Sequence, residues 1–393
     1  MFALEVTLLL GFLGLGLLIL SLRQGTLSLI RNLNQIPRTE IDQSGSDRFA
    51  QMVYDRQVLS KGRRIVVIGG GTGLSVLLRG MKQVTNNISA VVTVADDGGG
   101  SGILREDLGM LPPGDIRSCL LALAETEPTM EDLLQYRFTE GALKGQSFGN
   151  LFIASMNGIS DSFEEAVKKM GEVLAVKGRV YPVTLEDITL YAQLKNGKVI
   201  KGESNIPGKC LAEGSPIDFV FLRPRKPDAL PEVIAAIDSA DAIVLGPGSL
   251  FTSIIPNLLV NDVAEHINAS NAVKIYLPNL MTQPGETDDF SVSDHVEALM
   301  RNTGLQQMDV VLANSQSVCP KIAAKYESEG ARMVLSQPAD RQYLEEKRIQ
   351  LMEIEMVEIK NDYVRHDALK ISRLIHDRLI SRKAKNTLQL PLT

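Results

Sequence analysis

From Arg64 onward the chain alternates short β-branched, apolar runs with longer stretches whose apolar residues recur at helical spacing. "RIVVIGG" reads as a buried strand and "TGLSVLLRGMKQ" as the helix after it, with "ISAVVTVA", Ile88 to Ala95, as a second strand. "DAIVLGPGSLFTSI" repeats the design: a strand from Ala242 to Leu245, a glycine turn, and a helix from about Thr252. "AVKIYLPNLMTQPGET" and "MDVVLANSQ" add two strands that end in polar loops. Apolar strands alternating with helices predict an α/β fold, a Rossmann-like three-layer sandwich with a mainly parallel sheet. "YPVTLEDITLYAQLKNGKVIKGESNI" alternates and turns at Asn196-Gly197, which predicts a small β-hairpin insertion at about 181–206. "DALKISRLIHDRLISRK" predicts an amphipathic terminal helix packed on the sheet. The domain spans 63–385, and 386–393 is a tail.

The beginning of the chain follows a different pattern. "VTLLLGFLGLGLLILSL", Val6 to Leu22, is apolar and uncharged, and as a helix it spans roughly 25 Å. Arg23, Arg31 and Arg38 follow it, whereas the other flank holds only Glu5. The positive-inside rule then predicts a membrane anchor over 1–23 with the body at the inner, cytoplasmic face. No basic residue precedes the segment and no small-residue cleavage site follows, which fits a removable signal peptide poorly. A buried core helix or a misplaced start codon is the alternative. Residues 24–62 read as a polar linker.

Length and charge narrow the function classes. A chain of 393 residues has room for a sizeable core, and its net charge of −6 argues against a nucleic-acid partner. Cys119, Cys210 and Cys319 form neither a zinc spacing nor a paired disulfide framework, and the four histidines show no metal spacing. No nucleophile elbow or HExxH occurs, and no lysine follows the first glycine loop as a Walker loop requires.

In an open parallel sheet, ligands bind beyond the carboxyl ends of the strands, so the loops there are the candidates for chemistry. Gly70, Gly71, Thr72 and Gly73 leave amides at a helix N-terminus where an anion can sit. The dinucleotide fingerprint fails at Leu74, which stands in place of the third glycine. Asp96 and Asp97 end the second strand and run into another glycine loop, Gly98 to Gly102, that includes Ser101. Two carboxylates beside a phosphate suit a magnesium ion; a solvated Asp-Gly turn is the alternative. Asp115 and Arg117 of "LPPGDIR" either begin a helix or face the crevice as metal and phosphate partners. Asn150 of "SFGN" is an N-cap or a ligand contact. Gly246, Gly248 and Ser249 form a possible second anion nest against the reading of a plain turn, and Asn279 lies on the loop after a later strand.

Taken together, "GGGTGLSVLLRGMK", "VTVADDGGGSG", "LPPGDIR", "SFGNLFIASM", "GPGSLFTSIIPNLL", "MTQPGET" with "SDHV", and "KNDYVRHD" resemble the YvcK-type gluconeogenesis-factor family. That family belongs to the superfamily of CofD, the 2-phospho-L-lactate transferase. The resemblance covers about Arg64 to Arg378. It implies a cytoplasmic protein needed for growth and cell shape on gluconeogenic carbon sources, one that binds the peptidoglycan precursor UDP-N-acetylglucosamine. The family's sugar-nucleotide contacts fall on Tyr326 of "KYESEGAR" and Arg365 of "VRHD". Asp97 and Asp115 match the acidic positions that the transferase relatives use around metal and substrate. The second loop reads GGGSG where GGSSG is usual, and the apolar N-terminus is absent from the shorter relatives. Two functions follow: a non-catalytic UDP-sugar-binding regulator of cell-wall precursor supply, or a magnesium-dependent transferase of a phosphoryl-linked group. Hydride transfer is disfavoured by the failed fingerprint. Oligomeric state stays open, a homo-oligomer included.

Overall fold

The computed structural model describes residues 59–125 and 128–380, so the apolar segment at 1–23, most of the linker and the tail lie outside the described residues. Among the described residues no helix is long and apolar enough to cross a membrane.

The chain enters a central sheet through β1 (Ile65–Gly69), β2 (Ile88–Val92) and β3 (Arg179–Pro182). It leaves for a small antiparallel sheet of β4 (Thr189–Leu194), β5 (Val199–Lys201) and β6 (Ile217–Arg223). It returns through β7 (Ala242–Leu245), β8 (Val273–Tyr276), β9 (Val310–Asn314) and β10 (Gln350–Ile354), and adds a hairpin of β11 (Val357–Lys360) and β12 (Tyr363–His366). The central order is β10-β9-β8-β7-β1-β2-β3, and every pairing within it is parallel. β1, β7 and β8 are buried along their whole length, as strands covered by helices on both faces must be.

Right-handed crossovers explain the two helical layers. Chain progress from β1 to β3 and from β7 to β10 runs in opposite directions across the sheet, so the connecting helices fall on opposite faces. The terminal helix Ala368–Leu374 packs on the helix Gly71–Met81, where a Cβ at Gly80 would lie 2.3 Å from the Ala368 carbonyl oxygen. The expected packing on the sheet itself is therefore replaced by helix on helix.

The insertion also differs from the expected hairpin over 181–206. Tyr181 and Pro182 belong to the edge strand of the main sheet, and β6, beyond the expected range, supplies a third strand. Alternation alone could not assign β6, because its partner β4 lies more than twenty residues back.

Candidate functional site

β1 lies where the strand order reverses: the chain moves from it to β2 on one side and later takes up β7 on the other. Such a reversal opens a crevice beyond the carboxyl ends of the two strands. A cavity of about 530 Å³ occupies that place, within the range of ~300–1,000 Å³ usual for small-molecule sites.

The first wall is the glycine loop, residues 70 to 73. The helix Gly71–Met81 starts from Gly70 with no side-chain cap, so its first amides need other acceptors. Gly71 takes a φ of +66°, a left-handed conformation that a Cβ would strain. A Cβ at Gly73 would stand 2.8 Å from the Pro247 carbonyl oxygen, so the loops after β1 and β7 touch through bare backbone. Asp115 lies behind this loop, accepts the Gly71 N–H, and would sit 2.5 Å from a Cβ at Gly70. The Thr72 and Gly73 amides find no acceptor among the described residues, and both residues line the cavity.

The second wall is braced from within. Gly246 N–H donates to the Ile68 carbonyl at 2.9 Å, and Gly248 N–H donates to Asn279 Oδ1 at 3.2 Å. Asn279 Nδ2 donates to Gln283 Oε1 at 2.8 Å, and Gln283 Nε2 donates to Ser249 Oγ at 2.7 Å. Those two amides already have acceptors, so this loop contributes shape and the Ser249 hydroxyl rather than the second anion nest read from its glycines.

The far side is made by the chain's end. Tyr326 Oη accepts the Val364 N–H at 3.0 Å, which ties β12 to the helix Pro320–Ser328 and leaves the tyrosine ring on the cavity. Arg365 follows on β12, its guanidinium 5.3 Å from the Tyr363 ring centre, and it meets no carboxylate at salt-bridge distance among the described residues. His366 Nε2 lies 3.2 Å from the Pro278 carbonyl, and burial lowers its pKa to about 4, so it is neutral at physiological pH. Tyr326 and Arg365 thus line the same cavity as the glycine loop.

Of the buried carboxyls here, Glu286 lines the cavity and others lie beside it. Glu286 is buried on the cavity with Thr252 Oγ1 3.3 Å away, and burial pushes its pKa to about 7 against those hydrogen bonds. Glu203 is pushed to about 8, first by burial and then by the charges of Asp96, Glu286, Asp115 and Asp97. Asp115 rises to about 6, again by burial first and by Asp96 next.

Several expected site residues lie beside the cavity rather than on it. Asp96 Oδ1 accepts the Gly98 N–H at 2.9 Å, and Ser101 Oγ accepts the Gly114 N–H at 3.1 Å. Arg117 donates to Ser147 Oγ. Ser147, and not Asn150, caps the helix Phe148–Gly158: its hydroxyl accepts the Asn150 N–H at 3.3 Å. Asn150 Oδ1 is buried there without a protein partner.

The expected magnesium pair changes as well. Asp97 Oδ1 accepts the Ser204 N–H at 2.9 Å, turning that carboxylate toward the insertion, while the charge that raises Asp115 after burial is that of Asp96. Among the described residues no group of three or more His, Cys, Asp or Glu is placed to hold a metal alone. Magnesium needs only one or two carboxylates when phosphates and water complete its shell, and a cation would relieve the repulsion between Asp96 and Asp115. The residues fit it only in company with a phosphorylated ligand.

Comparison with known proteins is decisive about kinship. Residues 65–357 match the family of the 2-phospho-L-lactate transferase CofD. A gluconeogenesis factor of Bacillus subtilis is 46% identical over 80% of this chain and 98% of its own. The chain belongs to the gluconeogenesis-factor family. A relative from Clostridium acetobutylicum that carries the same family name is 51% identical over 94% of this chain and 81% of its own length. Among solved structures, a UPF0052-family protein of Bacillus halodurans superposes with a TM-score of 0.76 at 43% identity, covering 80% of this chain and 99% of that one. Nearly all of that chain thus corresponds to four-fifths of this one.

Gly70, Gly71, Thr72, Gly73, Gly248, Ser249, Asn279, Tyr326 and Arg365 all line the cavity, although they come from distant parts of the chain. Gln283, Glu286 and His366, which also line the cavity, and Glu203 beside them escape a reading of the sequence. Glu286 stands in "MTQPGET", a loop after a strand end, which was the one available signal. Glu203 had none, because only tertiary packing carries the insertion to the acidic loop.

Proposed function

We propose that this cavity binds a UDP-sugar, UDP-N-acetylglucosamine, and that the protein regulates cell-wall precursor supply and cell shape without turning the ligand over. The observation that carries the reading is that Thr72 and Gly73, at an uncapped helix start, line one cavity with Tyr326 and with Arg365, which meets no carboxylate at salt-bridge distance among the described residues. Amides at a helix start hold phosphate oxygens, a guanidinium grips a diphosphate by paired hydrogen bonds, and a tyrosine ring stacks on a base. The Ser249 hydroxyl and the protonated form of Glu286 can serve sugar hydroxyls, since a neutral carboxyl both donates and accepts. In this reading Val6 to Leu22 holds the body at the cytoplasmic face of the membrane, where wall synthesis takes place.

A second reading keeps the site and adds chemistry. It rests on the CofD family match and on Asp96 and Asp115 behind the glycine loop. A magnesium ion there would neutralise charge on a transferred phosphoryl group, and this chain's own part would be to orient donor and acceptor.

Calorimetry of residues 59–393 with UDP-N-acetylglucosamine, UDP, GTP and NAD, each with and without magnesium, separates these readings. The first expects micromolar or tighter UDP-sugar binding and intact ligand recovered afterwards. Magnesium-dependent consumption of a nucleotide-linked substrate establishes the second instead, and preference for NAD rejects both.

A further inference from the structure

The outward face of the small sheet belongs to no site described above. Alternation along its strands buries Leu190, Ala192, Leu194, Ile200, Val220 and Leu222 against the body. Tyr191, Lys201, Phe221 and Arg223 are thereby turned outward, together with Phe219 and Val199, which are 38% and 53% exposed. The register sets Tyr191 opposite both Phe221 and Lys201. Tyr191 and Phe221 stack with centres 5.3 Å apart and planes 12° apart, and the guanidiniums of Arg223 and Arg225 lie 5.6 and 5.7 Å from the Phe221 ring centre.

The charge of this module runs against that of the molecule. Residues 189–226 hold seven Lys and Arg against three Asp and Glu, in a chain of net charge −6. Lys201, Arg223 and Arg225 form no salt bridge among the described residues, so these cations have no counter-charge there.

The geometry narrows what can cover the face. A nucleic-acid strand would need open ring faces for its bases, but Phe221 is stacked by Tyr191 and covered by guanidiniums. A peptide adding as a strand would need a free edge. The β6 edge is occupied: Val220 N–H donates to Asn302 Oδ1 at 3.0 Å and Arg301 donates to the Asp218 carbonyl at 2.6 Å. The β5 edge offers three residues only. Apolar ring edges within a layer of unpaired cations match a flat anionic surface, with rings at headgroup depth and cations on phosphates.

We propose that this face docks the protein on anionic lipid headgroups, independently of the nucleotide-sugar site. Residues 59–393 would be sedimented with vesicles of phosphatidylglycerol and phosphatidylcholine mixed, and with phosphatidylcholine alone. Binding is expected to the anionic vesicles only, to weaken at high salt, and to fall at least about tenfold in Arg223→Gln/Arg225→Gln with an unchanged thermal melt. Phe219→Ser, which leaves every charge in place, should weaken binding as well. Absence of binding, binding unaltered in these variants, or equal binding to phosphatidylcholine overturns the proposal. So does tighter binding of single-stranded oligouridylate, or a dimer that the substitutions dissociate, since either reassigns the face.

Discussion

Arg365 lines the cavity, meets no carboxylate at salt-bridge distance among the described residues and rests against the Tyr363 ring, so its removal disturbs little that the fold needs. Arg365→Ala should therefore melt like the parent while losing at least about tenfold in UDP-sugar affinity, since charge-assisted hydrogen bonds contribute about 1.5–3 kcal/mol. Calorimetry beside a thermal melt checks both halves, and normal affinity removes Arg365 from the site. Asp115 gives a prediction of the opposite kind. Its carboxyl holds its proton up to about pH 6 in the fold against an ordinary value of 3.8, so the folded state binds that proton more tightly than the unfolded state. The stabilisation by the neutral carboxyl is complete below about pH 4 and is lost as the pH rises through 6. Asp115→Asn, measured without magnesium, should thus raise the melting temperature at pH 7.5, by at most roughly 3 kcal/mol of stability, and do nothing near pH 4. A lower melting temperature at pH 7.5 would show that the ionised carboxylate is needed by the Gly71 amide more than it is penalised by burial.

At the level of elements, the site depends on how closely two loops meet. The backbones after β1 and β7 approach so nearly at Gly73 and Pro247 that no side chain fits between them. Gly73→Ala adds a good helix former, a gain of about 1 kcal/mol, and opposes it with an overpacking cost of about 1–3 kcal/mol. A melt shifted downward by only a few degrees is expected, whereas UDP-sugar binding should drop sharply because the amides of the loop are displaced. Equal losses in stability and binding would argue that the glycine serves packing alone. The hairpin β11–β12 is the other such element: through the Val364–Tyr326 bond and the His366–Pro278 contact it delivers Arg365 to a crevice formed by strands far earlier in the chain.

Across the whole molecule the decisive quantity is the placement of charge. A net charge of −6 is poor provision for an anionic ligand, and Glu286 lines the cavity with Glu203 within reach of its charge. Glu203 and Glu286, with pKa values pushed up to about 8 and about 7, are both protonated at pH 6 and both increasingly ionised by pH 8.5. Affinity for a UDP-sugar without magnesium should accordingly tighten as the pH is lowered across that window, by several-fold up to about tenfold. Glu203→Gln should flatten the profile, and so should magnesium. A pH-independent dissociation constant in the parent protein would show that these carboxylates do not face the ligand's phosphates.

The fold was largely legible in advance because its strands are covered on both faces, and full burial writes itself as uninterrupted apolar runs such as "RIVVIG" and "AIVL". The glycine loop, Asn279, Tyr326 and Arg365 could be named from motifs and from family resemblance. The atomic roles that could not be read in advance are those where residues with two uses compete. Ser147 takes the cap that was one of two readings of Asn150, Asp97 turns to the insertion, and Gly248 spends its amide on Asn279. By itself, then, the sequence determined the parallel sheet, most of its strands and the family, since period, β-branching and turn chemistry act over a few neighbouring residues. Only the tertiary structure decided that β1 and β7 meet at the reversal of strand order, that Glu203 comes within reach of Asp96, Asp97, Asp115 and Glu286, and that the cations of the small sheet have no salt bridge among the described residues. Those are matters of which chemical groups remain unsatisfied once the chain has folded, and that depends on every distant segment at once.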